Sequence, residues 1–272
     1  MSAHSPSETH LWQYWRSSSR SSELNKKFLS RLYSDKKIQT QRELKELIRQ
    51  GVPPQFRGVV WWACSGGQDK LKSAVSSPDT YESYASCLER ALGLSNQAID
   101  DISRDLYRTF SAEFGTPDEE NILPLRNVLF AYSVRNKPVG YCQSMNFIVA
   151  LLLMYLTEEQ AFWVLAVLIE DILPSDYYTS SMTGCRIDQG VFQSSLAWKL
   201  PKLFSHLKAY EIDIGPITCS WFLSLYINIL PLPGPSPLCI HLILMLCRCL
   251  ANLGLSPMGR RYCSLSDWTD NL

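Results

Sequence analysis

Apolar positions recur every three to four residues along most of this chain, and the places where that rhythm stops carry helix-ending residues. Leu44, Leu47 and Ile48 share a helical face behind Thr40 and Glu43, which have the spacing of a capping box. Gly51-Val52-Pro53-Pro54 ends that helix, and a short one is expected over 55–64, before Ser65-Gly66-Gly67. Ile99, Ile102, Leu106 and Phe110 form a further stripe. Thr116-Pro117 with Glu119 reads as an N-cap, a proline at the first helical position and a reciprocal carboxylate. Thr157 with Gln160 opens a run over 158–173 that Pro174 closes. Other apolar runs predict long helices over 123–135, 142–155, 189–207 and 217–230. Few segments alternate with period two, so the expected class is all-α and multi-helical.

Three regions differ in texture. Residues 1–37 read as a flexible N-terminal arm with a serine-arginine run at 17–20. Its Trp12, Tyr14 and Trp15 either dock back on the domain, stay unordered or anchor a partner. Residues 38–232 carry the helical pattern. From Pro233 the chain changes: Pro233-Gly234-Pro235-Ser236-Pro237 stops the preceding helix, and 233–272 reads as a divergent tail. Within it, Leu238, Leu242, Met245 and Cys249 make one stripe, expected to fold back on 217–230 until Gly254 and Pro257 end it.

Composition narrows the function classes. Apolar residues make up 46% and charged residues 19%, as in a globular protein, and 26 basic residues balance 26 acidic ones. No global field therefore points to nucleic acid. The nine cysteines form no C-x-x-C pair and stand with only four histidines, which predicts free thiols and no metal site. The most apolar stretch, 238–250, contains His241 and Arg248 and is shorter than the ~20 residues of a membrane span. The polar amino terminus has no secretory signal, and no lipidation motif is present. Trp163, Trp198 and Trp221 read as core anchors.

No nucleophile elbow, zinc pair or phosphate loop occurs in the sequence. Two polar placements remain. Asp105 and Arg108 lie three apart beside the stripe at 99–110, where a carboxylate can hold a guanidinium. Such pairs are common on helix surfaces, so by itself the spacing fits a surface ion pair or a site. In Gly140-Tyr141-Cys142-Gln143-Ser144-Met145-Asn146, Gln143 is expected in the first turn of a helix, near free backbone N–H groups. It is a capping residue, a surface residue or a group that handles water.

Taken together, these segments resemble the TBC domain family, the all-helical GTPase-activating proteins of Rab GTPases. The resemblance rests on Arg57-Gly58-Val59-Val60-Trp61 behind Gly51-Val52-Pro53, on Ile102-x-x-Asp105-x-x-Arg108 and on Tyr141-x-Gln143, in that order. It implies catalysis by two fingers supplied in trans to a GTP-bound Rab. Arg108 neutralises charge on the transferring phosphoryl group and Gln143 positions the attacking water. Asp105 orients Arg108, Tyr141 supports the glutamine loop or touches the GTPase, and Arg57 and Trp61 fix the first helices. Arg126 lies where the family commonly has an arginine and is either a support near the site or a surface residue. The resemblance implies no cofactor of the protein's own, since GTP and Mg²⁺ arrive with the partner. It also implies a cytoplasmic monomer recruited transiently to endomembranes.

The similarity ends at Leu232, whereas family members continue with further helices, including an aromatic-Asp element. Residues 233–272 look like an alternative carboxyl terminus produced by splicing, leaving the TBC domain incomplete. An incomplete domain carries an alternative expectation: a catalytically inactive Rab-binding or scaffold protein.

Overall fold

The structure, a computed structural model, describes residues 54–76, 82–110, 118–227 and 229. Its regular elements are all helices, as the periodicity predicts. The arm over 1–37, the helix after Thr40 and the tail over 233–272, with its expected truncation, lie outside the described residues. In chain order the helices are α1 (Pro54–Ser65), α2 (Gly67–Val75), α3 (Tyr84–Leu92), α4 (Gln97–Thr109) and α5 (Glu119–Arg135). They continue with α6 (Met145–Leu153), α7 (Glu158–Val167), α8 (Thr183–Lys199), α9 (Pro201–Ala209) and α10 (Gly215–Leu223).

The C-terminal parts of two of these helices are almost wholly apolar, which suits them to the interior. In α5, Leu125 and the run from Val128 to Val134 are buried; in α7 the run from Ala161 to Val167 is. The two pack together, with α3, α4 and α6 against α5 and with α1, α2 and α6 against α7. Trp61, Trp163, Phe162 and Tyr132 are among the largest fully buried side chains. Each apolar side chain of that kind stabilises the fold by ~1.5–3 kcal/mol. A second group, α8 with α9 and α10, is joined to the first where Tyr178 OH donates to the Leu223 carbonyl at 2.8 Å.

Thr157 and Gln160 form the expected reciprocal capping box on α7. A π-helical turn, Leu168–Ile172, then extends it. Leu173 turns to extended backbone because it precedes Pro174. Arg135 at the end of α5 makes a two-pronged ion pair with Glu170 at 2.9 and 3.0 Å, and Lys70 of α2 reaches Glu170 at 3.0 Å. These contacts fasten α2, α5 and the π-helical turn to one another.

Several boundaries differ from expectation. α5 is capped by Asp118, whose side chain accepts from the Asn121 N–H, so the start at Thr116-Pro117 is displaced. The expected helix over 189–207 is two helices, because Leu200 leaves helical geometry ahead of Pro201. The helix over 217–230 ends at Leu223 in a Schellman arrangement. Leu225 is left-handed (φ 51°) and donates to the Phe222 carbonyl, while Tyr226 donates to that of Trp221 at 2.7 Å. Trp198, expected in the core, stands 70% exposed with the Lys199 ammonium 3.9 Å above its ring. Among the residues of α8, only Gly184 and Cys185 are buried.

Candidate functional site

α4 begins behind Asn96, whose side chain accepts from the Ile99 N–H at 3.1 Å. It packs on α5 and α6, burying Ile99, Ile102 and Leu106 as the stripe requires. Asp105 is buried beside them. A carboxylate withdrawn from water must find partners, and both of its oxygens do. Oδ2 accepts from the Tyr141 hydroxyl at 2.9 Å, and Oδ1 pairs with Arg108 Nη1 at 3.5 Å. The Asp105 side chain is 11% exposed and that of Arg108 is 70% exposed. The arginine is therefore restrained from the protein side while its charged end stands in solvent. Burial, then Asp105, pushes the Tyr141 phenol well above its usual range, so it stays a neutral donor.

Gln143 lies at the tip of a tight turn rather than in a first helical turn. The Met145 N–H donates to the Cys142 carbonyl at 3.1 Å, and Ser144 has φ 85° and ψ −15°. Those angles belong to the third position of a type II turn, which makes Gln143 the second. Ser144 interrupts the expected helix over 142–155, and α6 starts only at Met145. A serine held in this left-handed region costs ~1–3 kcal/mol. The surrounding bonds hold it there: Cys142 N–H donates to Met145 Sδ at 3.3 Å, and Asn146 Nδ2 donates to Thr109 Oγ1 at 2.8 Å. Gln143 itself is exposed. Burial, chiefly, moves the Cys142 thiol up to about 11, so the cysteine beside Gln143 is a protonated packing group at neutral pH.

The structure thus ties α4 to the Gln143 turn at two points. Tyr141 reaches Asp105, three residues before Arg108, and Asn146 reaches Thr109, the residue after it. Thr109 and Asn146 were not singled out from the sequence. Their signals were only that Thr109 follows Arg108 and that Asn146 closes the Gly140–Asn146 segment.

Arg57 and Trp61 serve a different contact. Arg57 Nη1 donates to the Tyr155 hydroxyl at 2.9 Å, and the Trp61 ring meets the Tyr155 ring edge-on at 4.7 Å. Between them, a Cβ on Gly58 would stand 2.2 Å from the Tyr155 carbonyl oxygen. The segment grips the turn between α6 and α7. Arg126 lies in α5 with its Nη2 3.5 Å from Asn127 Oδ1 and its guanidinium over the Phe130 ring at 5.8 Å. Among the described residues no group of His, Cys, Asp and Glu could hold a metal ion, and no helix is long and apolar enough to cross a membrane.

Residues 54–235, more than half of the chain, match the Rab-GTPase-TBC domain. The chain belongs to the TBC family. It is 40% identical over 189 residues to mouse "TBC1 domain family member 2B", an alignment that covers 68% of this chain and 19% of that protein. To the "GTPase-activating protein MSB4" of Saccharomyces cerevisiae it is 35% identical over 220 residues, 70% of this chain and 44% of that protein. The chain therefore spans less than half the length of either relative. Among solved structures it resembles the Chlamydomonas flagellar RabGAP TBC domain with a TM-score of 0.64 and 29% identity, over 97% of this chain and 79% of that one.

Proposed function

We propose that this TBC domain binds a GTP-loaded Rab-class GTPase and accelerates its GTP hydrolysis, with Arg108 and Gln143 supplied in trans. The observation that carries the reading is the Asp105 carboxylate, which holds the exposed arginine on one oxygen and the tyrosine of the glutamine turn on the other. Phosphoryl transfer asks a protein for placement and charge rather than covalent chemistry. A planar guanidinium whose root is fixed has already lost part of its rotamer freedom, so less is lost when it meets a developing phosphoryl charge. Gln143 has an amide that can accept from an attacking water and donate to an oxygen. GTP and Mg²⁺ come with the partner. The same reading has the protein working in the cytoplasm as a monomer, recruited transiently to endomembranes where Rab proteins sit.

An arginine supplied in trans is worth ~10³–10⁵ in rate. Single-turnover phosphate release from a panel of GTP-loaded Rab proteins is the test. Arg108→Ala should remove most of the stimulation, and Arg108→Lys should not restore it, because a point charge lacks the fork. Equal stimulation by the wild type and Arg108→Ala overturns the proposal. Binding of GTP-loaded Rab without acceleration would identify an inactive Rab-binding protein.

A further inference from the structure

We propose that Thr109 and Asn146 are a pair of positioning residues that set the Gln143 turn against the end of α4, and so fix Gln143 relative to Arg108. The inference rests on the finger reading above and adds the element that would hold the two fingers in register. Tyr141 anchors one side of the turn on Asp105. With that bond alone the turn could still pivot about it. The second bond, Asn146 Nδ2 to Thr109 Oγ1 at 2.8 Å, lies on the far side of Gln143. The Thr109 hydroxyl can accept there because its own proton is committed to the Asp105 carbonyl at 2.8 Å. The chain of bonds therefore runs from the turn through Thr109 into the α4 backbone at Asp105.

Both residues are enclosed, Thr109 at 0% and Asn146 at 2% exposure. Neither is exposed to a partner, so they act on hydrolysis only through the groups they hold in place. Asn146 Oδ1 has no hydrogen-bond partner among the described residues, which makes the Thr109 contact the anchor of that side chain. An alanine there would fill the space no better and would lack the bond. A buried amide whose one hydrogen bond among the described residues crosses to α4 fits a positioning task better than a packing one.

Thr109→Val keeps the shape and removes the hydroxyl, and Thr109→Ser keeps the hydroxyl and removes a methyl group. With the full chain, Thr109→Val should lower kcat for stimulated hydrolysis about 10–100-fold, because a misplacement of about 1 Å has that effect. KM for the GTPase should stay unchanged and Thr109→Ser should retain most of kcat. Adding Asn146→Ala to Thr109→Val should cost little more, since the two act through one bond. Amide hydrogen exchange of residues 143–147 reads the same strut without any partner. It should quicken about tenfold in Thr109→Val, with the amides of α5 unchanged. Unaltered exchange at 143–147, or equal damage from serine and valine, overturns the proposal. If the wild type stimulates no Rab, the finger reading fails, and the exchange measurement still decides the strut.

Discussion

A carboxylate as enclosed as Asp105 depends on what it touches, and its two partners come from different distances along the chain. Arg108 was legible, since a helical stripe puts a residue three places on beside it. Tyr141 was not, because periodicity carries no information about a contact 36 residues away. The Gln143 turn was misread for a related reason. Left-handed backbone is signalled in a sequence by glycine or asparagine, and here a serine takes it. Removing the hydroxyl with Tyr141→Phe leaves one oxygen of a buried charge without its donor. We expect a loss of ~1–3 kcal/mol in a denaturant titration, together with slower stimulated hydrolysis. Unchanged stability would mean that the Tyr141–Asp105 bond holds nothing.

Helix existence was readable from the 3.6-residue rhythm and from proline, whereas helix ends were readable only where the usual residue marks them. Pro174 did so, whereas Pro201 carried the same mark inside a run expected as one helix over 189–207. The ends of α9 and α10 did not, since their left-handed positions are Glu211 (φ 53°) and Leu225 (φ 51°) where glycine is customary. Glu211 is exposed, so Glu211→Gly relieves backbone strain without removing a packed side chain. It should stabilise the protein by ~0.5–1 kcal/mol, less any loss from the greater freedom of the unfolded chain. A lower midpoint of thermal unfolding would contradict this. Gly58→Ala has the opposite sign. Helix propensity favours alanine by ~1 kcal/mol, but a Cβ 2.2 Å from the Tyr155 carbonyl must push α1 off the α6–α7 turn. Overpacking of this kind costs ~1–3 kcal/mol or more, so the net effect in a thermal melt should be destabilising.

The whole domain buries an unusual set of phenols. Burial is the first cause that raises Tyr84, Tyr132, Tyr141, Tyr177 and Tyr178, with Glu158, Glu170, Asp105 or Asp188 adding to it for the first four. In the unfolded chain each would ionise near pH ~10. Below that pH both states keep the protons, and these groups give stability no pH dependence. Above it the unfolded state binds fewer protons than the folded one, so stability falls as pH rises. Melting temperatures should therefore decline steeply beyond pH ~10, and the folded protein should show less phenolate absorbance than the unfolded chain at the same pH; equal absorbance in the two states would contradict it. The membership of the family was legible in the order of three short motifs, because each packs or pairs at a fixed place in this fold. The proposed activity rests on two exposed side chains, Arg108 and Gln143, whose elements are tied together through Asp105 and Tyr141. The most direct test uses a Rab partner whose own water-orienting glutamine has been replaced. If Gln143 performs that task in trans, the wild-type domain will still accelerate phosphate release from this partner, and Gln143→Ala will not. Acceleration that disappears with the partner's glutamine and ignores the change at Gln143 would contradict the account.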